Sequence, residues 1–108
     1  MGDAARDICS QMAINDQKRK DAGTRALFPK AAYPEAPTDA QITENLRYLV
    51  LRFLGLRVAA DDAMVDNLRA VYDAGAASAV AGAEIAPSSE GWRGVCVALF
   101  ESPLFHND

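Results

Sequence analysis

Two cysteines, Cys9 and Cys96, are the side chains whose chemistry would matter most in this sequence. Both lie among apolar neighbours, near opposite ends of the chain. They are either two buried thiols that act as small hydrophobic groups, or one disulfide that would stabilise the domain by about 4–5 kcal/mol. Two cysteines so far apart form no CxxC motif, no c-type haem site and no four-ligand zinc site.

The other candidates for chemistry are one histidine and a row of carboxylates. His106 lies two residues from the end of the sequence, where a general base would lack rigid support. Asp62, Asp66 and Asp73 follow at helical spacing, and Arg69 is the expected partner of Asp66. We interpret this row as an exposed charged face rather than as paired catalytic acids. Since nucleotide, metalloprotease and serine-hydrolase motifs are also absent from the sequence, we predict no enzyme activity, cofactor or metal site.

Composition narrows the function classes further. The chain has 108 residues, of which 50% are hydrophobic and 24% charged, as in one ordinary globular domain. Its net charge is -4, divided as +1 on residues 1–54 and -5 on residues 55–108, so a nucleic-acid partner is not expected. No apolar run reaches the roughly 20 residues of a membrane span. Residues 1–6 lack the apolar segment of a signal peptide, which leaves a cytosolic protein or part of a longer exported one, with the native start undecided.

Helical periodicity of the apolar residues, without period-2 alternation, predicts an all-α fold. We expect one domain over residues 1–108. Its helices are predicted at 3–22, 38–55, 61–74 and 89–101. The Ala-, Gly- and Ser-rich stretch between the last two helices is interpreted as a loose loop, since glycine weakens a helix.

Start and stop signals support these helix limits. Thr38 opens a capping box, Asp61 is a good N-cap, and the serine pair at 88–89 would cap the last helix. Gly23 and Gly55 are expected to end the first and second helices. The polar run that precedes Gly23 is interpreted as the solvated end of the first helix.

A connector over residues 24–37 separates the first two helices. Its three prolines disfavour helix, while Leu27, Phe28 and Tyr33 are expected to anchor it on the core. Since such aromatic residues could also contact a partner, Phe28 and Tyr33 are candidate interface residues as well.

Trp92 and the C-terminal tail offer two further interface candidates. Trp92 either packs against the second helix with its N–H bonded to a carbonyl, or lies exposed as an anchor for a partner. Leu104 and Phe105 are expected to fold back onto the helices, and Phe105 is the fourth interface candidate.

Two sequence blocks resemble a known group of proteins. They are LRYLVLRFLG at 46–55, followed by an Asp-led helix, and WRGVCVALFESPLF at 92–105. The pattern is similar to the C-terminal helical region of large exported bacterial proteins of unknown function that are linked to c-type cytochrome modules. The resemblance implies a cell-envelope setting, periplasmic or extracellular, and a non-catalytic helical module. The sequence lacks their CxxCH motif, and no functional residues carry over.

The sequence therefore supports two hypotheses about function. The first is a non-catalytic structural or interaction module, a subunit or terminal domain of a larger cell-envelope or exported assembly, bound to a protein partner or part of a longer parent polypeptide. The second is a small redox protein, in which Cys9 and Cys96 cycle between dithiol and disulfide, or a ligand-binding protein with an apolar pocket. The oligomeric state stays open.

Overall fold

The computed structural model describes residues 2–80 and 82–102, with side chains from Ala4 onward. Four α-helices and no strand occur in these ranges. They are α1 (Gly2–Gln17), α2 (Asp39–Leu54), α3 (Ala63–Ala77) and α4 (Pro87–Phe100), with a 3-10 turn at Ala22–Thr24 after α1. The predicted all-α fold with four helices is confirmed.

Helix α4 is the central element of the fold. It packs most extensively against α3, next against α1, and least against α2, which also contacts α3. Trp92, Val95, Cys96 and Leu99 of α4 are all buried. These side chains form one core cluster with apolar residues from the other helices and the connector.

Two glycines let α3 and α4 approach closely. A Cβ on Gly91 would lie 2.5 Å from the Tyr72 ring, and one on Gly75 would lie 2.8 Å from the Glu90 carbonyl oxygen. The rings of Tyr72 and Trp92 meet with their centroids 4.5 Å apart. The Ala-, Gly- and Ser-rich stretch between the last two helices was expected to be a loose loop. That expectation is wrong for the start of the stretch, since α3 continues through Gly75 to Ala77.

The ends of α2 follow the sequence signals. The Thr38 hydroxyl accepts a hydrogen bond from the Gln41 N–H, and the Gln41 side chain accepts one from the Thr38 N–H. Gly55 ends the helix with φ of 70°, a left-handed conformation that glycine adopts without strain. The capping box and the glycine stop are both confirmed.

The starts of α3 and α4 differ from the prediction by one or two residues. Asp62, not Asp61, caps α3, because its carboxylate accepts the Met64 N–H at 2.8 Å. Helix α4 starts at Pro87, whose ring suits the first helical turn, and Ala86 is its N-cap without a side-chain bond. The expected serine cap at 88–89 is therefore wrong.

Helix α1 ends at Gln17 instead of continuing to residue 22. The N–H groups of Lys18 and Arg19 bond three residues back, to Asn15 and Asp16, which tightens the last turn. Gly23 lies inside the following 3-10 turn and does not end the helix. The predicted polar end of α1 is thus a short separate segment.

Candidate functional site

A disulfide joins Cys9 of α1 to Cys96 of α4, with their Cα atoms 5.8 Å apart. Of the two interpretations of the cysteines, the structure contains the bonded one. Both residues have no solvent exposure. Because thiol–disulfide exchange needs a thiolate to reach a sulfur atom, this burial favours a structural link between helices over a redox centre.

Asp16 at the end of α1 binds the connector that leads to α2. Its carboxylate accepts the backbone N–H groups of Ala26 at 3.0 Å, Leu27 at 2.6 Å and Phe28 at 3.1 Å. Asp16 is only 1% exposed. A carboxylate that accepts three buried N–H groups is a structural acceptor, and the connector is fixed to α1 through it.

Helix α2 holds the same connector from a second direction. Asn45, fully buried, donates to the Leu27 carbonyl at 3.0 Å and accepts the Lys30 N–H at 3.0 Å. The Gln41 side chain accepts the Ala32 N–H at 3.3 Å. These bonds satisfy backbone groups that no regular element pairs.

Arg25 is a buried cation inside the connector. Its guanidinium donates to the carbonyls of Arg19, Ala31 and Tyr33 at 3.0–3.3 Å. It also lies 5.4 Å from the ring centroid of Phe28 and 5.7 Å from that of Tyr33. No carboxylate in the described part of the chain pairs with it, so carbonyl dipoles and ring faces balance its charge.

The three interface candidates that the structure describes do not form one exposed surface. Phe28 is 1% exposed and Trp92 is fully buried, so neither is an exposed anchor, because both pack into the core. Tyr33 is half-buried against Phe28, whereas Phe105 lies outside the described residues, as do Leu104 and His106.

Trp92 lies in the core in a different setting from the one expected. Its ring contacts Tyr72 of α3. Among the described residues its Nε1 has no hydrogen-bond partner, and neither does the Ser89 Oγ one turn earlier. The expected bond from the indole to a carbonyl is therefore absent from the described residues.

One member of the carboxylate row, Asp73, lies in a surface ion pair. Arg69 pairs with Asp73 and with Asp39 of α2, both at 3.0 Å, and not with Asp66 as predicted. These hydrogen bonds, first to Asp73 and then to Asp39, raise the pKa of Arg69. Burial raises the pKa of the neighbouring Tyr72 phenol. Arg69 of α3 thereby links α3 to α2 through Asp39.

An open groove of about 370 Å³ lies on the outer side of α2. It is lined by Lys30, Glu44, Arg47, Tyr48, Leu51, Arg57 and Val58. The lining comes from the connector, from α2 and from the loop that follows α2. Three of the seven residues are cations and one is an anion, although the chain as a whole has a charge of -4.

Arg47 holds the groove together. Its Nε donates to the Val58 carbonyl at 2.8 Å, which fixes the loop after α2, and its Nη1 pairs with Glu44 at 2.8 Å. The Lys30 ammonium lies 5.9 Å from the centroid of the Tyr48 ring. The lining therefore combines aromatic and aliphatic side chains with three cations and the carboxylate of Glu44.

Two of the three cations remain without an ionic partner. Lys30 and Arg57 are exposed and form no salt bridge within residues 2–80 and 82–102. Leu51 is 39% exposed in the same groove. The surface can therefore accept an anion beside an apolar group.

The described residues were also compared with the requirements of a metal site and of a membrane-spanning helix. No group of three or more His, Cys, Asp or Glu side chains in the described chain could hold a metal ion. None of α1–α4 has the length and hydropathy of a bilayer-spanning segment.

Comparison with known proteins gave no relative. The sequence matches no protein-family model. No curated protein and no solved structure matches it either.

Proposed function

We propose that this chain is a non-catalytic helical interaction module of a larger exported assembly, and that the groove beside α2 is its contact surface. The observation that carries the proposal is the pair of exposed, unpaired cations, Lys30 and Arg57, set around Tyr48 and the half-exposed Leu51. Apolar surface surrounded by polar groups is typical of protein contact sites.

The disulfide supports the exported setting. Disulfides persist in the periplasm and outside the cell, whereas cytosolic reductants keep most thiols reduced. The Cys9–Cys96 bond links α1 to the central helix α4, so a small domain would keep its shape outside the cytosol. The resemblance of residues 42–105 to helical regions of exported proteins supports the same setting.

Site-specific photocrosslinking in the producing cells tests the proposal. A benzophenone amino acid would replace Leu51 in the groove, and Ile8, which is 48% exposed on α1, would serve as the matched control. We expect one discrete adduct from position 51 that is absent from position 8 and is lost when Arg57→Glu is added. No adduct from position 51, or the same adducts from both positions, would overturn the groove as a contact surface.

A further inference from the structure

We infer that the partner of the groove is an acidic polypeptide segment in which carboxylates flank one apolar side chain. This inference rests on the proposed function, because it names the chemistry of the partner that the groove would bind. The occupant follows from three properties of the lining residues: which nitrogen atoms are free, what lies between them, and how the rest of the chain is charged.

Free nitrogen donors surround the groove. The Lys30 ammonium and the Arg57 guanidinium have no salt-bridge partner within the described residues. Arg47 uses Nε and Nη1 for the Val58 carbonyl and Glu44, which leaves its Nη2 available. Guanidinium and ammonium groups bind carboxylates through charge-assisted hydrogen bonds, so these donors favour a ligand with more than one carboxylate.

Apolar side chains line the same groove. The Tyr48 ring, Leu51 and Val58 line it, and Leu51 keeps 39% of its surface exposed. Covering such a surface with a leucine or phenylalanine side chain would remove apolar area from water. A purely ionic ligand would leave it wet, so the groove fits a segment that carries both kinds of group.

The charge of the remaining molecule directs such a segment to this groove. Residues 55–108, which include Arg57, carry a net charge of -5, so most of the surface that this half of the chain contributes disfavours an acidic partner. A positive groove on an acidic protein raises both the rate and the specificity of association, because contact at other sites is penalised. A nucleic acid, which gains affinity from each neutralised phosphate, fits a chain of this overall charge less well.

Titration of the ¹⁵N-labelled, oxidised full chain with a short synthetic peptide tests the inference. The probe alternates glutamate with leucine, and its matched control replaces every glutamate with glutamine. We expect the amide signals of Tyr48, Leu51 and Arg57 to shift with the glutamate peptide, and its affinity to fall as salt is raised. Equal binding of the glutamine peptide, or shifts elsewhere on the chain, would overturn the acidic partner.

Charge reversal in the groove supplies the second arm. Lys30→Glu/Arg57→Glu should lower the affinity for the glutamate peptide by about tenfold, since two attractive charges become repulsive. Lys20→Glu changes an equally exposed lysine outside the groove and should change the affinity by less than about twofold. Circular dichroism of each variant verifies that the helices remain. Equal affinities of the two variants would overturn the inference.

Two outcomes separate this inference from the function on which it rests. If an oligo-thymidine shifts the same amide signals and binds with the same affinity as the glutamate peptide, the groove is a general polyanion-binding surface and the assignment of a peptide partner fails. If the peptide does not bind but position 51 still gives its discrete adduct, the partner has another chemistry and the contact surface stands. If the peptide does not bind and position 51 gives no discrete adduct, both proposals fail.

Discussion

Two regions built against α2 bring a cation to an aromatic ring, with opposite results. In the connector, Arg25 donates to three carbonyls, lies over the rings of Phe28 and Tyr33, and is 5% exposed. In the groove, the Lys30 ammonium lies near Tyr48 and remains exposed without a salt bridge to any described residue. The comparison separates polar groups that fix the fold from polar groups left available to a partner.

Lys30 connects the two regions. Its backbone N–H, in the connector, donates to the buried Asn45 side chain of α2, and its own side chain lines the groove. The position of one groove cation therefore depends on the bonds that hold the connector. Substitutions that break the connector's hydrogen bonds should also displace groove residues, whereas charge changes in the groove should leave the connector's structure unchanged.

The largest effect on the connector and the groove is expected when the disulfide is removed, because it fixes α1, the helix that carries Asp16. Cys9→Ala/Cys96→Ala should lower the free energy of unfolding by about 4 kcal/mol, because a loop closed over 87 residues no longer restricts the unfolded chain. Urea denaturation of the variant and the oxidised protein measures the loss. A change below about 1 kcal/mol would mean that packing alone holds α1.

Asp16→Ala attacks the connector directly. It leaves three backbone N–H groups, those of residues 26–28, without their acceptor, and we expect a loss of about 3 kcal/mol in unfolding free energy. Asp7→Ala, on the exposed part of the same helix, should cost less than about 0.5 kcal/mol. Hydrogen exchange at residues 27 and 28 provides the local measurement. Unchanged protection there would show that the carboxylate is not what orders the connector.

These two regions also show which parts of the fold the sequence predicts. The limits of α2 were predictable because Thr38, Gln41 and Gly55 act within a few residues of the helix ends. Asp16 was interpreted as part of a solvated helix end, although its partners lie 10–12 residues further along and it is 1% exposed. Periodicity reports which residues face a core, and it is silent about a side chain that binds the backbone of a distant loop.

The groove was missed for a related reason. Lys30 and Arg57 belong to loops on either side of α2 in the sequence, and only the folded course of these loops brings them to one surface. One signal was present within α2, where Tyr48 and Leu51 lie outside its main apolar stripe. Apolar groups on the polar side of an amphipathic helix are a reason to look for a contact surface.

The same conservative substitution, Arg to Lys, made once in the connector and once in the groove, tests the difference between the two regions. Arg25→Lys keeps the charge but loses the planar fork that reaches three carbonyls, and it should reduce the free energy of unfolding by about 1–2 kcal/mol. Arg57→Lys, at an exposed site, should change it by less than about 0.5 kcal/mol. Urea denaturation of both variants measures the difference. Equal losses would remove the distinction between the two regions.

The smallest effect on stability is expected from the largest change in groove charge. Lys30→Glu/Arg57→Glu replaces two cations that make no salt bridge within the described chain, so the free energy of unfolding should move by less than about 0.5 kcal/mol. Amide exchange at residues 27 and 28 should also stay as in the unmodified protein, since Asn45 binds the Lys30 backbone rather than its side chain. A loss above about 1 kcal/mol would place these cations among the groups that hold the fold. A small change in stability, with the peptide affinity reduced, would instead assign them to recognition.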